Sequence, residues 1–395
     1  MSFRRKWRHI TVVVVLAMAL VIRPVGGRAI VVADAASSGA STSGWVVESS
    51  PSVGSYHNEL KAVAFAGASQ FAVGDYYTGV ADQTLVEQSL GGAWRVVPSP
   101  NASANHNELD AVSGTSASDI WAVGRFVPPS GQELSLAMHW NGHRWTIVNV
   151  ARQGSFHNEL DGVVALSSKS AWAVGHVDTS QVVSDQALIE HWDGTKWSAV
   201  RGSRSVGQYS GLRAIGSAPG GTQLWAVGYQ STGSLTRTLI ERRVGATWSV
   251  VTSPNIGPST NDLFGVTVVS VRDAWAVGQY FVGTVAHALV EHWNGVRWSI
   301  VSTPPIPSHH YVLAGVASST TGRSMAVGDY FAGQADLTMV LVQSGGHWVI
   351  EKSPNASAGH NALEGVAGSP KHGFVAVGLF YNGQADRTLI ERCQC

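Results

Sequence analysis

Ile120-Trp121-Ala122-Val123-Gly124, a loop, Leu134-Ser135-Leu136-Ala137-Met138-His139-Trp140, then Asn141-Gly142-His143-Arg144-Trp145-Thr146-Ile147-Val148: residues 120–148 hold three short apolar runs separated by turn residues. A fourth run, Leu109-Asp110-Ala111-Val112, precedes them. Short β-rich runs bounded in this way read as strands, and Asn141-Gly142 marks a tight turn whose two residues both tolerate positive φ. The same pattern recurs along the chain. Tryptophans open the last run of each period at Trp45, Trp94, Trp145, Trp197, Trp248, Trp298 and Trp348, 49 to 52 residues apart. Ala-Val-Gly triplets end at Gly74, Gly124, Gly175, Gly228, Gly278, Gly328 and Gly378. A period near 50 with four strands in each predicts an array of small sheets that stack to bury their faces.

One four-stranded meander of this kind has two apolar faces. On a strand Trp121 and Val123 point one way and Ala122 and Gly124 the other, so both sides need cover. Neighbouring periods supply it, and a closed ring leaves no face bare, which is the logic of a β-propeller. Trp172, Trp225 and Trp275 repeat the Trp121 position, with Phe71 and Met325 as apolar stand-ins, and this stripe reads as core.

The Leu-x-x-Val, Trp-Ala-Val-Gly and His-Trp-Asn/Asp-Gly-x-x-Trp units resemble the repeat of exported bacterial propeller proteins, and more broadly the kelch repeat, over residues 45–395. The kelch Gly-Gly doublet is missing here: Asp75, Arg125, His176 or Gln279 follows the glycine. The resemblance implies an all-β fold, a seven-bladed propeller of four-stranded antiparallel blades, with Leu-x-x-Val innermost and Trp-x-Val outermost. The chain then enters on an outermost strand, Trp45-Val46-Val47, and stops on a third strand, Thr388 to Arg392. Closure by the amino-terminal strand in the last blade is therefore expected, which removes two open sheet edges.

Residues 1–35 read as a signal peptide: Arg4-Arg5-Lys6-Trp7-Arg8, an apolar stretch from Ile10 to Ile22, and a cleavage site near Ala33-Asp34-Ala35. Thirteen residues, apolar but for Thr11, are short against the ~20 of a spanning helix, so a cleaved signal is the first reading and an uncleaved signal-anchor the second, and no membrane span is expected once the signal is removed. Residues 36–44, rich in Ser and Gly, read as a flexible lead. The whole chain is formally neutral, but residues 1–35 carry six basic residues and one acid, leaving 20 basic against 25 acidic beyond them. A mildly acidic body without basic stripes argues against nucleic acid. Cys393 and Cys395 are the only cysteines. On one extended strand they would face opposite ways, so a bridge between them is expected to be strained.

Candidate binding residues precede the inner strands: His57-Asn58-Glu59, His106-Asn107-Glu108 and His157-Asn158-Glu159, with partial copies at Asn261-Asp262, His310 and His360-Asn361. His and Glu at i and i+2 share one side of a strand, so three successive blades could present them at the channel mouth. Imidazole with carboxylate suits polar recognition, acid–base chemistry or Zn²⁺-like metals. The competing structural role is to satisfy loop backbone groups, the same in every blade. Tyr76, Phe126, Tyr280, Tyr330 and Phe380 follow the Ala-Val-Gly glycines by two residues, on loops of the same face. They could hold a sugar or a peptide, or pack beneath their own loops. Strand-three glutamates Glu87, Glu190, Glu241, Glu291 and Glu391 interchange with Met138 and Leu341, which marks a packing position.

Catalytic constellations are scarce. The arginines are scattered rather than clustered as a sialidase-like site needs, and no Gly-x-Ser-x-Gly or phosphate loop is present. The expectation is an exported monomeric binding module for a glycan or protein partner at or outside the cell surface, with no cofactor and no resident metal. Two alternatives stand beside it: a propeller enzyme acting on polysaccharide through His/Glu residues at the channel mouth, and a purely structural or adhesive module.

Overall fold

The computed structural model describes residues 44–395 apart from 155, 179–184, 203–208, 232, 234, 307–309, 320, 321 and 370. The expected signal peptide and, Gly44 excepted, the expected lead lie outside the described residues. Seven four-stranded antiparallel sheets follow one another. Blade 1 runs Asn58–Ala66, Ser69–Tyr77, Asp82–Leu90 and Trp94–Val96, from first strand to fourth. Blades 2 to 6 begin at Asn107, Asn158, Tyr209, Asn261 and Tyr311 and repeat that order. The first strands of successive blades touch one another around the ring, so they are innermost.

Blade 7 takes three strands from the carboxyl end, Asn361–Ser369, Gly373–Tyr381 and Asp386–Cys393. Its outer strand is Trp45–Glu48, paired antiparallel with Trp45 opposite Cys393 and Glu48 opposite Ile390. The ring closes as the strand count requires. Glu48 also ion-pairs with Arg392, and Arg392 donates to Gln70 of blade 1, so one short strand ties blades 7 and 1 together.

The core is divided into seven clusters, one in each gap between blades. Trp121 and Val123 of blade 2 meet Leu160, Ala173, Leu188 and Trp197 of blade 3, while Ala122 of blade 2 faces Phe71, Val73 and Val86 of blade 1. Across most gaps the outer tryptophan of one blade stands edge-on to the second-strand aromatic of the blade before it. Ring centroids are 5.9 Å apart for Trp145 and Phe71, 5.0 Å for Trp197 and Trp121, 5.7 Å for Trp248 and Trp172, 5.1 Å for Trp298 and Trp225, and 5.2 Å for Trp348 and Trp275. Edge-to-face contact is the favoured geometry for such rings. In the last two gaps Met325 and Val375 replace the aromatic, and Trp45 and Trp94 pack there. Trp94, with no ring to meet, donates its indole N–H to Glu48 at 2.7 Å.

The Ala-Val-Gly glycine has a steric cause. Each inner strand carries a β-bulge just after its leucine, between Leu60 and Ala62 in blade 1 and at the equivalent place in every blade. The bulge leaves a carbonyl against the second strand, and a Cβ on Gly124 would lie 2.1 Å from the Glu108 oxygen. The residue after the bulge is Ala62, Ala111, Gly162, Ala214, Gly265, Gly315 or Gly365. Small side chains there let inner strands of adjacent blades approach closely: a Cβ on Gly365 would lie 2.7 Å from the Lys61 oxygen of the next blade.

One local expectation is corrected. At Asn141-Gly142, Asp193-Gly194 and Asn294-Gly295 only the glycine has positive φ, and no non-glycine residue has it among the described residues. The turn spans four residues between paired tryptophans such as Trp140 and Trp145, and the Asn141 carboxamide accepts from the His143 and Arg144 amides at 3.0 Å. Side-chain capping therefore replaces a second left-handed residue. Cys393 and Cys395 form a disulfide, because the strand ends at Cys393 and Cys395 is free to turn back. Among the described residues no helix is long and apolar enough to cross a membrane.

Gly228→Ala should cost at least about 2 kcal/mol, since its Cβ would meet the Gly211 backbone oxygen at 2.1 Å and a packed backbone cannot give way. Denaturant unfolding checks this, and an unchanged midpoint would remove the steric account of the triplet.

Candidate functional site at the mouth of the ring

All seven inner strands start at one end of the ring, and the residues singled out in the sequence fall into distinct layers there. The asparagines are plugs. Asn58, Asn107, Asn158, Asn261 and Asn361 are buried, and each accepts from the backbone of the loop that leads into its own strand. Asn107 Oδ1 takes the Ala102 and Ser103 amides at 2.8 and 3.1 Å while Nδ2 donates to the Ser103 and Asn105 carbonyls. Asn361 repeats this set with Ala356, Ser357 and Gly359.

The histidines are bonded to the preceding blade, at or beside the start of its third strand. His106 Nδ1 lies 2.6 Å from Asp82, His360 Nδ1 2.7 Å from Asp336, and His57 Nδ1 2.8 Å from Asp386. His157 and His310 accept the backbone N–H of Glu133 and Ala286 at 3.1 and 3.2 Å. The ring of histidines thus staples blade to blade, with each imidazole still partly exposed. Tyr76, Phe126, Tyr280, Tyr330 and Phe380 are half-buried against the gap clusters.

The glutamates belong to a different layer. Glu59, Glu108 and Glu159 sit among charged residues nearer the axis, supplied by two positions that the sequence reading left unused. One is the bulged residue: Lys61, Asp110, Asp161, Arg213, Phe264, Ala314 and Glu364. The other follows the Ala-Val-Gly glycine and includes Asp75, Arg125, His176, Tyr229 and Asp329. Lys61 Nζ lies 3.1 Å from Asp75, 2.9 Å from Glu108 and 3.3 Å from Asp110. Arg125 bridges Glu108 of its own blade to Glu159 of the next. His176 stands 3.2 Å from Asp161 and 3.5 Å from Glu159. Arg213 pairs with Asp262 at 3.2 Å and stacks over Tyr229 and Phe264. The signal was in the repeat: within Leu-x-Ala/Gly-Val the x position varies freely in charge while its neighbours do not.

Electrostatics follow from this crowding. Burial pulls the His57 imidazole down, but hydrogen bonds to Asp386 and Glu59 outweigh it and carry the group up to about 10. His176 rises to about 9 in the same way, burial opposed by Asp161 and Glu159. Burial holds Asp75 above the ordinary carboxylate range, with Glu108 and Glu59 adding to it against Lys61. Burial, with Glu364 and Asp336 nearby, pushes Asp329 well up. Among the described residues this mouth carries nine carboxyl groups (Glu59, Asp75, Glu108, Asp110, Glu159, Asp161, Asp262, Asp329 and Glu364), of which burial favours the protonated form of Asp329, against the cations Lys61, Arg125, Arg213, His57 and His176. The charge is also uneven around the ring: blades 1 to 3 hold the densest network, whereas blade 6 places Val312 and Ala314 at the same positions.

The strand-three glutamates are buried in the gaps. Ser50 donates to Glu87 and Ser253 to Glu291 at 2.9 Å, each serine lying just after the outer strand of the preceding blade. Burial raises Glu87, Glu291 and Glu391 to about 8 despite these hydroxyls.

No protein-family model matches this chain, and no curated protein matches it by sequence. Solved structures do. One of YCF48 bound to D1 peptide superposes with a TM-score of 0.52 at 14% identity, covering 89% of this chain and 96% of that one. YCF48 from Cyanidioschyzon merolae gives 0.53 at 15% identity, covering 88% and 98%. At such identity the likeness is one of fold: a seven-bladed propeller.

The buried glutamates set the sign of the pH dependence. In the folded state they hold a proton up to about pH 8, against about 4.5 for an ordinary glutamate, so unfolding releases protons between those values. Stability should therefore fall as pH rises from about 5 to 8, by up to ~1.4 kcal/mol per unit for each carboxyl. Melting curves of the protein and of Glu291→Gln across that range check this. The substitution should flatten the decline, and a midpoint that rises with pH in both proteins would contradict the assignment.

Proposed function

We propose that this chain is an exported propeller of the kind its repeat resembles, and that it serves as a binding module at or outside the cell surface. Its mouth holds a protein segment through basic side chains. The observation that carries this reading is the surplus of carboxylates at one end of the axis. A field of one sign focused in a concave, low-dielectric site attracts the opposite charge and repels its own. A lysine or arginine offered by a partner would replace part of the network that Lys61 and Arg125 now satisfy across the blade gaps. A polyanionic glycan would be repelled. A protein segment is also favoured over a sugar because Tyr76, Phe126, Tyr280, Tyr330 and Phe380 are engaged in packing. Peptide binding by YCF48, a propeller of similar fold, supports the same class of partner.

Two labelled peptides of equal length, one rich in Lys and Arg and one rich in Asp and Glu, separate the outcomes in fluorescence anisotropy. The basic peptide should bind, weakening about tenfold between 50 and 300 mM salt as screening shortens the reach of the field. The Glu364→Gln variant, which removes one charge from the mouth, should bind it about two-fold less tightly. Equal binding of both peptides, or none by the basic one, would overturn the reading.

A further inference from the structure

The three His-Asn-Glu sets look alike in sequence but not in space. In blade 2 the residue after the Ala-Val-Gly glycine is Arg125 and in blade 3 it is His176, so a cation faces the glutamate there. In blade 1 that residue is Asp75, and His57, Glu59 and Asp75 bring one ligand atom each to within 4.8 Å of the others. His57 Nε2 stands 3.4 Å from Glu59 Oε2. That matches the edge of a tetrahedron whose ligands lie about 2.1 Å from a central ion, roughly 3.4 Å.

The orientation of the imidazole fits as well. His57 Nδ1 lies 2.8 Å from Asp386 Oδ2. An ion would displace the Nε2 proton that faces Glu59, while the proton kept on Nδ1 and donated to Asp386 would hold the ring in place, as in the carboxylate–histidine pairs that orient metal ligands. At His157 and His310, by contrast, Nδ1 accepts a backbone N–H, which places the proton on Nε2. Asp75 is 3% exposed, and its Oδ1 makes no hydrogen bond, meeting only the Lys61 ammonium at 3.1 Å. One imidazole and two carboxylates form a donor set for a divalent ion of the Zn²⁺ class.

We propose that His57, Glu59 and Asp75 form a divalent-metal site at the mouth of blade 1, with Asp386 orienting the histidine. A fourth ligand would be supplied by water or by a group of a partner. The site shares Glu59 and Asp75 with the acidic mouth but needs no peptide to form, so metal uptake is tested apart from the peptide reading.

Zn²⁺ titrated into the chelator-treated full chain by isothermal calorimetry tests this. The unaltered protein should take up one ion that His57→Ala and Glu59→Gln each weaken at least about 30-fold, whereas Asp386→Asn costs about tenfold, the range seen for outer partners of metal ligands. His360→Ala, at the equivalent position in blade 7, should bind as the unaltered chain does. Melting curves confirm that each variant is folded, and Glu59→Gln preserves side-chain shape should His57→Ala fold poorly. No uptake at 100 μM Zn²⁺ (about 10⁻⁴ M, a loose limit for a three-ligand site) would overturn the proposal. So would uptake that Glu59→Gln leaves unchanged.

Discussion

The fold depends on one contact made again and again: the edge of an outer-strand tryptophan set against the second-strand side chain of the blade before it. No blade can cover that side chain itself, because the tryptophan that does so belongs to the next period of the sequence. Trp197 covers Trp121, Trp248 covers Trp172, and so on around the ring. Two adaptations keep the series unbroken where the aromatic is lacking. Trp45 packs in the cluster that holds Met325, and Trp94 turns its N–H to Glu48 where Val375 offers no ring. Each blade is thus half of two interfaces, and a gap left open anywhere would expose a large apolar face.

A second constraint fixes what the axis can present. The bulge after each inner leucine forces glycine at the end of Ala-Val-Gly, and the small residue behind it lets adjacent inner strands close up. Once those positions are spoken for, the bulged residue and the one after the glycine remain free to vary. That freedom is used: Lys61, Asp110, Asp161 and Arg213 occupy one repeated position, and Asp75, Arg125, His176 and Tyr229 the other. A scaffold with near seven-fold regularity therefore carries a mouth with almost none. Where blade 4 has Gly211 in place of glutamate, the space is taken by Tyr229, whose ring would lie 2.7 Å from an added Cβ.

Most of this fold was legible in the sequence because its cause is periodic. Seven Trp markers and seven Ala-Val-Gly triplets gave the blade count, and an outer strand at the start matched with a third strand at the end required closure in the last blade. The site was less legible, for a physical reason. Spacing places His57, Asn58 and Glu59 at the mouth but says nothing about which neighbour each meets. Asn58 turns into its own loop, His57 reaches Asp386 some 329 residues away, and Glu59 joins the charged layer. Bulges are equally silent in sequence. Free variation in charge marks the position of Lys61 and Asp110, but nothing in the spacing shows that the backbone bulges there, and the irregular pairing between Leu60 and Ala62 is a feature of the backbone. The Asn-Gly turns depart from a two-residue hairpin loop because the Asn141 carboxamide caps the turn, which takes the place of a second left-handed residue.

Closure is the claim on which the rest stands, and amide hydrogen exchange on a chain that begins at residue 49 tests it most directly. Without Trp45–Glu48 the strand Asp386–Cys393 becomes a free edge, and Arg392 and Trp94 each lose their carboxylate. The account predicts that amides of residues 386–393 and 94–96 lose protection first and by the largest factor, while blades 3 and 4 on the far side of the ring change least. Protection in residues 386–393 equal to that of the full chain would contradict it.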